Sequence, residues 1–399
     1  MRTLTFTSAA ITIPGYFSIV NRMAVAGPVV DGYVVGMDAW LIDSTGQEVS
    51  YRQVMIHHLV FFNLARRDKV CSQARGGLQP ERFYARGEEG FILSSFPAGY
   101  GYPVAGPSSW GLVYMLMNHR AQEQTVRVRY VVRYVTGKRL KPVTPLWLDI
   151  RQCARDPVWD VPGTGGKGST NSRSVDIPAP LSGRLVAGTG HLHGGGIDLR
   201  LSNTSCHQTL FVSRPTWAHQ EPRPLLHEGG PSHMTTFTSS LGIPITAGDD
   251  LHLTATYDNS LPHTRVMGIM VVYLVPGKTP HCAPVPPLQL IADKPGPPPL
   301  VPMPLPRAPR GPIDHLQSAT VQDFRITPEQ TTIPRGTLFT WHFQGAVAHN
   351  ITVVNGPIGF SSPSLPAGNT FSHRFTRPGT YKIVCSLHPV AMVQQITVR

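Results

Sequence analysis

The run Val126-Arg-Val-Arg-Tyr-Val-Val-Arg-Tyr-Val135 places an apolar residue at every second position, the period of a half-buried β-strand. Similar runs recur, and no window has the i, i+3, i+4, i+7 spacing of an amphipathic helix. Gly (38) and Pro (39) are both frequent, as many short strands joined by turns require. The chain therefore reads as all-β. Its 399 residues exceed what one ordinary core organises, so several domains are expected.

Local composition marks the boundaries. A strand-rich block, 1–155, closes near Cys153. The Gly/Ser-rich stretch Val161-Pro-Gly-Thr-Gly-Gly-Lys-Gly-Ser169 leads into a second strand-rich block, 156–282, which ends at Cys282. Between 283 and 313 roughly two residues in five are proline. Proline fixes φ and lacks an N–H donor, so this segment is expected to avoid a sheet interior and act as a semi-stiff spacer. The last block, 314–399, is alternating and turn-rich. No repeat of 20–50 residues is found.

The formal charge is +12, but the basic residues are scattered singly. Nucleic-acid surfaces cluster Lys and Arg among aromatics, so no nucleic-acid partner is expected. No run of eighteen apolar residues exists, hence no expected membrane span. Of five cysteines, Cys385 lies in a metal-ligand pattern. Cys71, Cys153, Cys206 and Cys282 then suffice for two disulfides, which points to an extracellular or periplasmic protein. The first fourteen residues read as an opening strand rather than as a leader with an apolar centre.

The pattern is Val384-Cys385-Ser-Leu-His388-Pro-Val-Ala-Met392, with Ala348-His349-Asn350 upstream. A blue-copper site needs one thiolate, two imidazoles and a weak thioether. A Cys at a strand end with His and Met on the next tight loop supplies three of these, and an earlier strand supplies His349. The block resembles the cupredoxin family, which includes plastocyanin and amicyanin. Its Cys-x-x-His-x-x-x-Met spacing falls between the loop lengths of those two. The resemblance implies a Greek-key β-sandwich in which Asn350 braces the Cys-bearing strand.

Two further histidine groups lie upstream. His57 and His58 are adjacent and followed later by His119; His191 and His193 are two apart, with Met267 downstream. On a strand, residues two apart share a face, so His191 and His193 form a natural bidentate pair. Adjacent histidines share a metal only at a bulge or twisted strand end. The series His-His, His, His-x-His, Met over residues 1–280 resembles the copper type II monooxygenases, the family of peptidylglycine α-hydroxylating monooxygenase and dopamine β-monooxygenase. That resemblance implies two jelly-roll-like β-sandwich domains facing each other across an open cleft. It places an electron-storing copper on His57, His58 and His119, and an oxygen-binding, catalytic copper on His191, His193 and Met267. Met270, the rival thioether, is three residues on and should face away. With the blue-copper site, about three coppers per chain are expected.

Where this family holds a substrate carboxylate with Arg, Asn and Tyr, the chain has Thr189, Ile269 and Val271, and where Gln is common it has Met117. No carboxylate clamp remains, so a small neutral or apolar substrate is expected in place of a glycine-ended peptide. The implied partners are O2, that substrate, and an external electron donor, ascorbate or a redox protein, with the blue-copper block relaying electrons. One alternative is a blue-copper/type 2 copper reductase resembling nitrite reductase; those enzymes set a His beside the blue-copper Cys, whereas Val384 and Ser386 flank Cys385. The other is a non-enzymatic copper-binding electron carrier. The remaining histidines have no partner at ligand spacing.

Overall fold

The computed structural model describes residues 1–72, 79–91, 95–217, 229–291, 309 and 311–399. Most of the Pro-rich spacer, together with His219 and His227, lies outside them. Among the described residues the chain is essentially all-β, with one 3₁₀ turn at Thr204–Cys206 and no α-helix.

The first block forms two sheets. One orders the strands Arg2–Thr7, Gln124–Val135, Gly32–Ile42, Tyr100–Val104 and Lys141–Pro142, with Ile11–Ile13 also paired to Gln124–Val135. The other orders Ser18–Val25, Trp110–Asn118, Val54–Arg67, Pro80–Gly87 and Gly90–Phe91. The alternating run works as its period predicts: Val126, Val128, Tyr130, Val132 and Tyr134 are all buried, in one core with Leu59, Phe61, Leu112 and Leu116 of the facing sheet. Each such side chain contributes about 1.5–3 kcal/mol by leaving water. The expected opening strand is present as Arg2–Thr7, at the sheet edge.

The second block centres on a sheet ordered Thr144–Asp149, Gly268–Pro276, Gly183–Leu192, Thr236–Ile245, Gln289–Ile291. Its first strand comes from within the first block and sets Leu148 opposite Met270. This sheet is covered on both faces. Met270, Val272 and Leu274 pack toward the sheet of Thr170–Pro178, Asp250–Asp258, Gly196–Asn203 and Gln208–Ser213. Ile269, Val271 and Tyr273 join the core of the first block instead. A strand buried on both faces loses simple alternation, which is why Gly268–Pro276 reads as one apolar run. Disulfides join Cys71 to Cys153 and Cys206 to Cys282, and leave Cys385 as the free thiol. The start of the Pro-rich segment adds Gln289–Ile291 as an edge strand, the one kind of sheet position that tolerates missing donors nearby.

Residues beyond 314 form two four-stranded sheets. Arg325–Thr327, Ser318–Gln322, Leu338–Phe343 and Thr370–Arg374 make one; Gln330–Ile333, Val393–Val398, Gly379–Val384 and Thr352–Asn355 make the other. Phe339, Trp341, Phe375, Tyr381 and Ile383 fill the core between them.

Candidate copper centres

Cys385 follows the strand Gly379–Val384, and the next turn folds back on itself. The His388 N–H donates to the Cys385 carbonyl (3.0 Å), Met392 N–H to that of His388 (3.0 Å), and Cys385 N–H to that of Met392 (3.2 Å). Three donors thus come from one tight loop. His349 arrives from the other side, bridged to Leu365. Its Nδ1 lies 3.1 Å from His388 Nδ1, and both nitrogens lie 3.8 Å from Cys385 Sγ. His349, Cys385 and Met392 are fully buried and His388 nearly so. Edges of that length suit one ion bonded at about 2 Å to each donor, and a thiolate with two imidazoles is a soft set suited to copper. Burial pushes the Cys385 thiol up, opposed by the amide N–H of Asn350. Burial, then the field of His349, pushes His388 down to about 4. Asn350 braces the loop as expected: its Oδ1 accepts Ser386 N–H (2.9 Å) and its own N–H points at Sγ (3.5 Å). Asp323, missed in the sequence, accepts from His349 Nε2 at 3.0 Å and so commits Nδ1 to the centre.

His57, His58, His191 and His193 also converge. The strand Val54–Arg67 bulges against Trp110–Asn118 between Ile56 and His58. That extra residue is His57, so the irregularity required of adjacent histidines is present. The Asp/Glu-type signal missed in the sequence is Gly87-Glu88-Glu89-Gly90, the turn between Pro80–Gly87 and Gly90–Phe91. Both carboxylates are buried. Glu89 Oε1 meets His191 Nδ1 at 2.8 Å, and Glu88 Oε1 lies 3.7 Å from His57 Nε2. An acidic pair held in a tight turn between two glycines was the available clue. His193 Nδ1 bonds the carbonyl of Arg265 at 2.9 Å. His191 and His193 are therefore both anchored through Nδ1, so Nε2 is the nitrogen each can offer a metal. Burial and the field of His191 push His58 down to about 4, against the raising effect of Glu88.

The two sets border one cleft and approach each other at His57 and His193. The rings of His57 and His193 meet edge to face with centroids 5.1 Å apart, the same separation as His191 to His193. The Glu88–Glu89 turn, reaching from one block to the other, draws them together. Met267 borders the same cleft, of about 1990 Å³, as His57, His58, His191 and His193. Met270 is buried on the opposite face, as expected. His119 is buried, its N–H donating to the carbonyl of Gln53 (2.9 Å). It does not complete with His57 and His58 a set of three ligand atoms within 4.8 Å of one another. Among the described residues such sets are His349–Cys385–His388 and the exposed Cys206–His281–Cys282; in the latter both sulfurs are tied up in the disulfide.

Residues 314–399 match the family of copper binding proteins described as plastocyanin/azurin. They are a cupredoxin domain. The chain is 36% identical over 66 residues to Amicyanin-alpha of Methylorubrum extorquens, covering 16% of this chain and 55% of that protein. It is also 25% identical over 245 residues to "Probable copper-dependent oxygenase clz3" of Cochliobolus lunatus (56% of this chain, 73% of the relative). To "Probable copper-dependent oxygenase M1" of Phoma sp. it is 26% identical over 269 residues (63% and 66%). The chain thus spans about two thirds of that second relative's length.

The cupredoxin is seated directly on the first block. His388 packs between Phe17 and Phe324, at 4.8 and 5.1 Å between ring centroids, and Ser18 N–H donates to the Leu387 carbonyl (3.1 Å). Val384, beside Cys385, is buried in one cluster with Met55 and Met117, which stand two residues before His57 and His119. The cupredoxin thereby touches both strands that lead to the first histidine set.

Proposed function

We propose that the chain is a copper-dependent monooxygenase that hydroxylates a C–H bond with O2, the cupredoxin domain relaying electrons to it. The observation that carries this reading is the seat of the cupredoxin, whose Val384 packs on the strands leading to His57, His58 and His119 and whose His388 packs on Phe17, just before the strand paired with Trp110–Asn118. The names of the two longer relatives agree with it. The proposed ligand sets are His57, His58 and His119; His191, His193 and Met267; and His349, Cys385, His388 and Met392. The proposed units are 1–155, 156–282, a spacer 283–313 and the cupredoxin, with Thr144–Asp149 and Gln289–Ile291 lent as strands to the sheet of the second unit.

Copper bound at these sets supplies the one-electron chemistry through which O2 is activated. Hydroxylation consumes two electrons and two protons per O2 and leaves one oxygen in the product and one in water, so an external reductant is required. The protein's part is positional. Glu89 and the Arg265 carbonyl fix the His191 and His193 rings, and the bulge turns His57 toward them. Met267 adds a soft thioether that favours the reduced metal. Ile269 and Trp147 line the cleft nearby, Thr189 is buried and accepts from the Thr236 hydroxyl, and the bordering Arg82 is engaged by Asp68. Ile269 and Thr189 thus offer no cation to a carboxylate, which supports a neutral or apolar substrate. The two disulfides fit an extracellular or periplasmic enzyme.

The test is reductant-dependent O2 uptake over a panel of small apolar molecules, comparing the parent with Met267→Ala. Uptake lost in the variant while the visible thiolate-to-copper band persists is the expected result. Equal uptake in both sinks the catalytic assignment.

A further inference from the structure

The polypeptide just before Met267 is held in an uncommon shape. Arg265 has φ +55°, a left-handed conformation that a bulky residue keeps only where its surroundings hold it there. Three groups do so. Its N–H donates to Asp160 Oδ1 (2.9 Å), one guanidinium nitrogen pairs with Asp156 (2.7 Å), and the other donates to the carbonyl of Ser362 in the cupredoxin (3.0 Å). In this conformation the Arg265 carbonyl accepts from His193 Nδ1 (2.9 Å).

Asp160 does more than fix Arg265. Its other oxygen accepts the N–H of Ser361 (2.7 Å), and the Ser361 hydroxyl donates to Oδ1 (2.8 Å). One half-buried carboxylate is therefore shared between the cupredoxin loop and the backbone that orients His193. Thr264 adds a bond to the Val353 carbonyl (3.2 Å), and Gly359 N–H donates to the Pro162 carbonyl (3.1 Å). Tyr257 completes the linkage: its hydroxyl accepts His193 N–H (2.9 Å) and donates to the Met267 carbonyl. Arg265, Met267 and His193 thus form one hydrogen-bonded unit with a cupredoxin loop at its far side.

We propose that Asp160 and Arg265 are positioning residues through which the seated cupredoxin sets the geometry of His193 and Met267. The domain is then a structural part of the catalytic ligand set as well as a source of electrons. This rests on the reading of His191, His193 and Met267 as copper ligands. The joint touches no substrate; it acts by holding a carbonyl where an imidazole needs it. Outer partners of ligating histidines typically govern metal affinity by 10–100-fold.

The test uses the full chain loaded with copper, comparing the parent with Asp160→Ala and Ser361→Ala. Copper per chain, Cu(I) affinity by competition with a chromophoric chelator, the Cu(II) paramagnetic spectrum and the visible thiolate-to-copper band are measured. Asp160→Ala is expected to weaken one upstream copper on the order of tenfold and to alter its spectrum, with the visible band unchanged. Ser361→Ala, which lies wholly on the cupredoxin, is expected to shift the same signal less, an effect that a merely local structural role would not produce. Upstream affinity and spectrum identical to the parent in both variants overturn the joint. A parent that holds only the cupredoxin copper overturns the oxygenase reading instead. If Asp160→Ala fails to fold, Ser361→Ala decides alone.

Discussion

The imidazole of His388 packs against the ring of Phe17, centroids 4.8 Å apart and planes inclined at 60°. Phe17 in turn offers its carbonyl to the N–H of Asn118 (2.9 Å), the residue before His119. From His388, a proposed copper ligand, to the first histidine set the path therefore crosses one aromatic contact and one hydrogen bond. An aromatic pair of this kind contributes about 0.5–1.5 kcal/mol beyond its buried area. Phe17→Ala is expected to keep the visible cupredoxin band and to slow reoxidation of the reduced cupredoxin by the proposed upstream coppers. Stopped-flow absorbance reads this directly; an unchanged rate removes the contact from the path.

Glu89 meets His191 Nδ1 at 2.8 Å from a turn in the other block. Removing that acceptor frees the ring to rotate and to exchange tautomers. Glu89→Ala is expected to lower affinity for one upstream copper by about 10–100-fold, and Glu89→Gln, which keeps an acceptor oxygen, by less. Chelator competition measures both. Affinities equal to the parent show that the turn only packs.

Asp323 lies below its usual carboxylate range, chiefly because it accepts from His349, with the amides of Ala346 and Val347 adding to this. With His349 as a copper ligand, as proposed, this negative charge on the far nitrogen of its imidazole would favour the oxidised, more positive centre. Asp323→Asn is expected to raise the cupredoxin reduction potential by tens of millivolts, read by redox titration of the visible band. A fall in potential contradicts this account.

His373 stacks on Phe360 with ring centroids 3.6 Å apart, and burial pushes it down to about 4 from its ordinary 6.5. The unfolded chain therefore takes up this proton first. Its contribution to stability is complete above pH 6.5 and is lost as pH falls through the folded value near 4. The denaturation midpoint of the copper-loaded cupredoxin transition should drop between pH 7 and pH 5 (roughly, the window set by those values), and His373→Phe should reduce that drop. The same drop in both proteins assigns the acid sensitivity elsewhere.

Cys206 and Cys282 close a loop with a sequence separation of 76. Constraint of the unfolded chain over such a loop is worth about 4 kcal/mol. Cys206→Ser with Cys282→Ser is expected to lower the calorimetric transition of the upstream blocks and to leave the visible cupredoxin band intact. An unshifted transition shows that unfolding of these blocks does not open that loop.

The features legible in the sequence were those that short-range geometry dictates. Alternation along Val126–Val135 specified a strand and its buried face, because side chains repeat every two residues in any pleated strand. Cys385, His388 and Met392 declared a candidate copper loop, because one turn of chain cannot help bringing them together. The adjacency of His57 and His58 called for a bulge, and one is present. Other relationships join residues far apart in the chain. Glu89 and His191 are separated by 102 positions, and Asp160 and Ser361 by 201. Only the packing of the two blocks and the seating of the cupredoxin decide that these carboxylates meet their partners, that His57 and His193 close to 5.1 Å, and that Thr144–Asp149 joins the second block's sheet. Local spacing specifies which donors one strand or loop presents; which loops face each other follows from burying both faces of the shared sheet, a balance no single segment contains.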